Sequence, residues 1–401
     1  MQWITAKLAS WASVLDDKTR EQALMTSELD IVQPYLALMP DAHLGKGATV
    51  GSVIPTREAI IPAAVGVDIG CGMRAVRTEL SKADVLRQAE SRGGLRELRQ
   101  SIERGIPLSA GHHNRRVEPT AEPRIAELEA LADRLGVAES VPARSKNWRL
   151  HLGSLGSGNH FIEVSVDQAD RVWLFLHSGS RGVGNRIAQH HIGVARRLAA
   201  ERGLTLPDPD LAYLTEGTDE FAGYLAELTW AQHFAALNRD EMMARVRSSL
   251  RHFMQMDELA VTADIGCHHN YSVRETHRVD GVDTELWISR KGAINAEAGT
   301  PGLIPGSMGT ASYVVRGKGN EPALKSAPHG AGRQYSRSRA RKTFSGDDLR
   351  AAMVGIEYRD TDAFVDEIPA AYKDIDTVMS DAAELVSIEH TLHQLVNVKG
   401  D

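Results

Sequence analysis

A chain of 401 residues, 42% hydrophobic and 25% charged, can bury a sizeable core, which excludes the disordered and fibrous classes. Its net charge of −7 argues against a globally basic nucleic-acid binder but leaves a local basic groove open. Only two cysteines, Cys71 and Cys267, exclude a disulfide framework and point to a reducing, cytoplasmic setting; no apolar run approaches the roughly 20 residues of a membrane span.

In chain order, Asp16 to Leu29 suits a helix and Tyr35 to Met39 a short strand, which Pro40 is expected to stop. The following Asp41-Ala42-His43-Leu44-Gly45-Lys46-Gly47 spaces a carboxylate and an imidazole two apart, on one face of extended chain. A polar turn with a surface histidine is the plain alternative. From Val50 to Arg74, small and β-branched residues imply a buried strand emerging into a glycine-rich turn that carries Asp68 and Cys71. A hard oxygen and a soft sulfur three residues apart suit a borderline transition metal, although a free cysteine also serves as a small buried hydrophobe.

Lys82 to Trp148 bears the fewest motifs, with helical periodicity over Arg124 to Leu135 and a basic loop, Gly111-His112-His113-Asn114-Arg115-Arg116. At Gly153 to Val164 a glycine-rich loop leads through Asn159, His160 and Glu163 into a strand, and Val172 to Leu176 forms a second that ends in His177-Ser178-Gly179-Ser180-Arg181-Gly182. Such an exit offers a ligand, open amides and a guanidinium suited to phosphate. Helices are expected over Asn185 to Ala200 and Asp219 to Leu250, the latter with its aromatics in the core.

One of the paired histidines His268 and His269 could add a further metal donor, and a strand is expected over Leu286 to Lys291. The turn around Ser307 resembles a phosphate cradle without being a P-loop. Pro328-His329-Gly330-Ala331-Gly332 presents one imidazole on a stiff elbow; downstream, Arg333, Arg337, Arg339, Arg341 and Lys342 concentrate positive charge. The stretch Val396 to Gly400 reads as a strand.

Taken together, Pro-Asp-x-His-x-Gly-x-Gly, Gly-Val-Asp-Ile-Gly-Cys-Gly, Gly-x-Gly-Asn-His-Phe-Ile-Glu, His-Ser-Gly-Ser-Arg-Gly, Cys-His-His-Asn-Tyr, Pro-Gly-Ser-Met-Gly, His-Gly-Ala-Gly-Arg and Pro-x-Ala-Tyr-Lys-Asp, in this order, resemble the RtcB family of RNA-splicing ligases over nearly the whole chain. The resemblance implies a GTP-dependent ligase that joins an RNA 3′-phosphate or 2′,3′-cyclic phosphate to a 5′-hydroxyl, in tRNA splicing or RNA repair. It also implies two Mn²⁺ ions held by Asp68, Cys71, His160, His177 and His269, with His329 as the nucleophile that carries GMP. Asn159, Glu163, Ser307, Ala331, Gly332, Tyr372 and Lys399 match positions around the nucleotide, while Asp41, Arg181, Arg333 and Arg337 are the candidates for RNA phosphates. Whether a helper protein takes part stays open. The expected fold is α+β, one large domain over residues 1–401 with mixed or antiparallel sheets whose loops converge on a dinuclear site. Two rival readings are a metal-dependent cyclic phosphodiesterase acting on RNA ends without ligation and an RNA-end binding protein with structural metals. Ala327-Pro328 before the nucleophile departs from the family pattern, and Lys82 to Trp148 matches it least.

Overall fold

The computed structural model describes all 401 residues. Two sheets dominate, and the period-two alternation of their strands explains how they pack. The six-stranded sheet runs Gln2–Thr5, Leu8–Ser10, Leu36–His43, Val50–Thr56, Val282–Lys291, Asn270–Val279. The seven-stranded sheet runs Val261–His268, Gly72–Ser81, Arg171–Ser178, Phe161–Val166, Val386–Lys399, Ser312–Gly317, Pro301–Ile304. Pairing is antiparallel apart from Leu8–Ser10 against Leu36–His43, so the fold is a mixed α+β one, as expected.

One core cluster lies between the sheets: Ala37, Met39, Val53 and Ile288 face Met73, Ala75, Phe161, Trp173 and Phe175. The alternate residues Val172, Leu174 and Leu176 point the other way, against Met242, Met243, Val246 and Leu250 of the 35-residue helix Asp219–Phe253. That helix also packs against Glu122–Leu135 and Arg181–Glu201 through a third cluster containing Trp148, Ile187, Tyr224, Trp230 and Phe234. The aromatics of the long helix are therefore core. No helix is long and apolar enough to cross a membrane.

Three local expectations are corrected. Pro40 does not end its strand: Leu36–His43 continues through it, with a register irregularity between Leu38 and His43 of the kind that lets a strand tolerate a proline. The stretch after Ile60 is not a strand but the short helix Pro62–Val65, because a proline in the first turn has its φ preset and no amide to lose. Finally, the helix expected from Asn185 begins at Arg181, so the Ser-Arg-Gly segment is its first turn instead of a loop.

Candidate metal and nucleotide site

The candidate metal donors converge because neighbouring strands bring them to one end of the seven-stranded sheet. Met73 pairs with His177, and Phe161 pairs with His177 from the other side, which sets Cys71, His160 and His177 around one point. Gly72 lets the strands close there, since a Cβ would collide with Cys267 O. Cys71 Sγ lies 3.4 Å from His160 Nε2 and 3.3 Å from His177 Nε2. His160 Nε2 is 3.0 Å from Asp68 Oδ2, and His177 Nε2 is 2.9 Å from His269 Nε2. The five side chains thus form one chain of contacts, in which Cys71, His160 and His177 are mutually close enough to share an ion.

The chemistry of the cluster fits a cation. Each imidazole has its Nδ1 beside an oxygen: His160 beside Leu155 O at 3.0 Å, His177 beside Asn159 O at 3.2 Å and His269 beside Asn270 Oδ1 at 3.2 Å. Nδ1 therefore carries the proton, and the Nε2 lone pairs of His177 and His269 face each other. Burial first, and neighbouring histidines second, hold both rings well below the usual imidazole range, so protonation does not relieve that repulsion. A shared cation does, and a ligating histidine is characteristically oriented through its other nitrogen in this way. Burial and the adjacent Asp68 push the Cys71 thiol up, a cost that a bound dication reverses by taking the thiolate. One carboxylate, one sulfur and three imidazoles form a borderline set that suits a transition-metal dication better than Mg²⁺ or Ca²⁺. His268 is not part of the cluster; its Nδ1 lies 2.9 Å from Gly70 O and 3.1 Å from Arg239.

His329 stands beside these donors, its ring centroid 4.7 Å from that of His269. Its strand, Ser326–Pro328, pairs with Ala293–Asn295. Asp41 fixes the elbow from the other sheet: its Oδ2 accepts the N–H of His329 at 3.0 Å and of Gly330 at 3.2 Å and lies 2.6 Å from His329 Nδ1. That contact is an ion pair and not an aligned hydrogen bond, and neither ring nitrogen of His329 has a hydrogen-bond partner within the protein. Gly332 (φ +73°) passes so close to Asp41 that a Cβ would collide with Asp41 O. Asp41, a candidate RNA contact from its sequence context, is instead fully buried and turned onto the elbow.

A cavity of about 350 Å³ joins the two features, lined by Asp68, Cys71, His177 and His269 at the metal cluster and by His329 to Arg333 along the elbow; the size suits a small ligand. Asn159, Glu163, Ser307, Tyr372 and Lys399 line it as well. Glu163 is buried beside Asn397, its cross-strand partner, with hydrogen bonds of only 3.4 to 3.5 Å from Ser165, Ser312 and Asn397. Burial pushes its carboxyl up to about 8 against the pull of Lys399. Glu367 accepts from Tyr372 Oη at 2.7 Å and from Lys399 Nζ at 3.2 Å. The main-chain N–H of Ser307 is taken by Thr310 Oγ1 at 2.6 Å.

Three cations of the basic run after the elbow are neutralised within the protein, while Arg339 and Lys342 have no carboxylate partner. Arg333 donates to Glu367 Oε1 at 3.2 Å and to Tyr372 Oη at 2.8 Å, Arg337 donates to Asp366 at 2.7 Å and pairs with Glu367, and Arg341 pairs with Asp366 at 3.2 Å. Arg181 lies apart from them, donating to Ser154 Oγ at 3.1 Å and His112 O at 3.3 Å.

Sequence reading missed several contributors. Asn238 and Arg239, on the long helix, tie down the turns beneath the donors; Arg239 reaches Gly70 O at 2.8 Å and Ser178 O at 2.9 Å. Lys291 is buried on the cavity wall, donating to Lys46 O at 2.5 Å and Ala63 O at 2.9 Å, and burial pushes its ammonium down to about 7. An Asn-Arg pair amid a core-facing stripe and a lysine ending an apolar strand were the available signals.

The profile of the family described as tRNA-splicing ligase RtcB matches residues 22–400. The chain is 46% identical over 393 residues to the RNA-splicing ligase RtcB of Escherichia coli K12, covering 95% of this chain and 94% of the relative. It is 31% identical over 434 residues to the tRNA-splicing ligase RtcB of Pyrobaculum aerophilum, covering 92% and 88%. With a profile match over almost its full length and near-full-length relatives from bacteria and archaea, the chain belongs to the RtcB family of splicing ligases.

Proposed function

We propose that residues 1–401 form one catalytic unit, a metal-dependent RNA ligase that uses GTP to join a 3′-phosphate or 2′,3′-cyclic phosphate end to a 5′-hydroxyl end. The observation that carries this reading is the position of His329. Buried Asp41 anchors its backbone and lies 2.6 Å from its Nδ1, while the ring borders the cavity beside His269, an arrangement that supports an oriented nucleophile.

In this reading Nε2 of His329 attacks the α-phosphorus of GTP; a P–N bond forms, the bond to the β-phosphate bridging oxygen breaks, and pyrophosphate leaves. Asp41 retains Nδ1 and stabilises the charge that develops on the ring. Glu163 accepts the N–H groups of the guanine edge, and Asn159, Ser307, Ala331, Gly332, Tyr372 and Lys399 bound the rest of the nucleotide. The RNA 3′-phosphate then attacks the same phosphorus, breaking the P–N bond and leaving an activated diphosphate end. The 5′-hydroxyl oxygen bonds to the RNA phosphate, its proton passes to solvent, and GMP leaves. A cyclic phosphate is first opened by water. Two Mn²⁺ ions held by Asp68, Cys71, His160, His177 and His269 would supply charge neutralisation at these phosphates.

Incubation with α-labelled GTP and Mn²⁺ is expected to leave an acid-labile, alkali-stable label on the protein that His329→Ala abolishes. An unlabelled wild type would overturn the reading. Product length on RNA with cyclic phosphate and 5′-hydroxyl ends distinguishes ligation from hydrolysis alone.

A further inference from the structure

A group of cations without a carboxylate partner lies on a side of the metal donors that the nucleotide cavity does not occupy. A second hollow is lined by Lys146, Arg181 and Arg186 together with His113 and His151, and it shares Val67 and Asp68 with the nucleotide cavity. His160 lines this hollow also, so the donor cluster forms the wall between the two. His113 continues into a third hollow that carries Arg104, Arg115 and Arg116. Lys146, Arg186, Arg104 and Arg115 are exposed. Their partners, where they have any, are neutral: Arg186 donates to Arg144 O at 2.8 Å and to Ser145 Oγ at 3.2 Å. The acids nearby are already engaged, Glu103 by Arg99 at 2.7 Å and Glu118 by Arg116 at 3.6 Å. The downstream arginines 333, 337 and 341, by contrast, are paired with Asp366 and Glu367. His151 adds a polar group that is 7% exposed, with Nδ1 lacking any hydrogen-bond partner.

From this we infer that the two hollows form a single track for the sugar-phosphate backbone of the RNA strand that ends in the 5′-hydroxyl. The inference rests on the ligase reading for its choice of strand. In-line displacement at the RNA phosphate puts the attacking oxygen opposite the leaving GMP. In the ligase reading GMP occupies the cavity of His329, so the attacking strand arrives from the other side of the donors, where Lys146, Arg186, Arg104 and Arg115 lie. Lysine and arginine along such a path read phosphates without reading bases, and because Arg104 and Arg115 lie in the further hollow, the contacts extend beyond the terminal nucleotide.

The test measures binding of a single-stranded 5′-hydroxyl RNA by fluorescence anisotropy across a salt series, in the full-length protein. The double variant Arg104→Glu/Arg115→Glu, both in the further hollow, should lower the slope of log affinity against log salt by about 1.4, since each single-strand phosphate contact contributes roughly 0.7. In joining assays its KM for a long acceptor strand should rise about tenfold, with kcat and the KM for a dinucleotide acceptor unchanged. Arg115→Lys should restore a variant weakened at that position alone. An unchanged salt slope overturns the track, whether or not the protein ligates. A KM increase confined to the 3′-phosphate strand overturns the choice of strand. A wild type that binds RNA through these residues but takes no label from GTP leaves the track standing and defeats the ligase reading instead.

Discussion

Asp41 and Glu163 are buried carboxylates at one site, and their surroundings suit them to opposite tasks. Asp41 Oδ2 accepts two backbone N–H groups and contacts the His329 ring, so its charge goes into fixing the elbow that carries that imidazole. Glu163 receives only hydrogen bonds of 3.4 to 3.5 Å, which leaves it free for a donor-rich ligand edge. Without that ligand, burial raises its carboxyl from 4.5 to about 8. The folded chain then holds a proton that the unfolded chain releases, so the contribution is fully present below 4.5 and is lost as pH rises through about 8. Glu163→Gln is expected to flatten the fall in urea midpoint over this range in nucleotide-free protein; an unchanged pH profile would count against the assignment. That Glu163 belongs to the cavity was legible from its place after Asn159 and His160. The role of Asp41 was not, because it meets His329 across 288 residues of sequence and a polar turn gives no sign of which distant amides it will accept.

At the scale of elements, the elbow depends on how closely two segments approach. Gly332 holds φ +73° against the backbone of Asp41, a conformation and a space that a side chain forbids. Gly332→Ala should destabilise the protein by more than about 1 kcal/mol and lower guanylylation while metal uptake persists; labelled protein per mole and unfolding midpoint report the two effects. The long helix and the strand around Val172 to Leu176 were legible, because periodicity and burial agree along them. Pro40 and Pro62 were misread for complementary reasons. A proline stops a strand only where its missing amide is needed, and the register irregularity beside Pro40 removes that need. Pro62 follows two apolar residues that look like a strand, yet it opens a helical turn where no amide is required.

For the whole molecule, the donors come from segments distant in sequence: Asp68 and Cys71, His160, His177 and His269. A cation bound by all of them ties together the ends of several strands and therefore stabilises only the folded chain. Mn²⁺ at a hundredfold excess over its Kd should add about 2.7 kcal/mol, read as a rise in Tm by calorimetry that Cys71→Ser largely removes; a Tm indifferent to Mn²⁺ would contradict the site. The distribution of charge is a property of this scale too, and the sequence conceals it. Arg333, Arg337 and Arg341 after the elbow are paired with Asp366 and Glu367, while Arg104, Arg115 and Lys146, in the segment with the fewest motifs, line open hollows.

The strand Val386–Lys399 lies in the interior of the seven-stranded sheet, between Phe161–Val166 and Ser312–Gly317, and it delivers Asn397 and Lys399 to the cavity. The sheet thus receives its last strand in chain order at an interior position. On the ribosome, a chain that has already made Asp68, Cys71, His160, His177, His269 and His329 still has a gap in that sheet and lacks part of its cavity wall, so the complete cavity forms only after translation has passed Lys399.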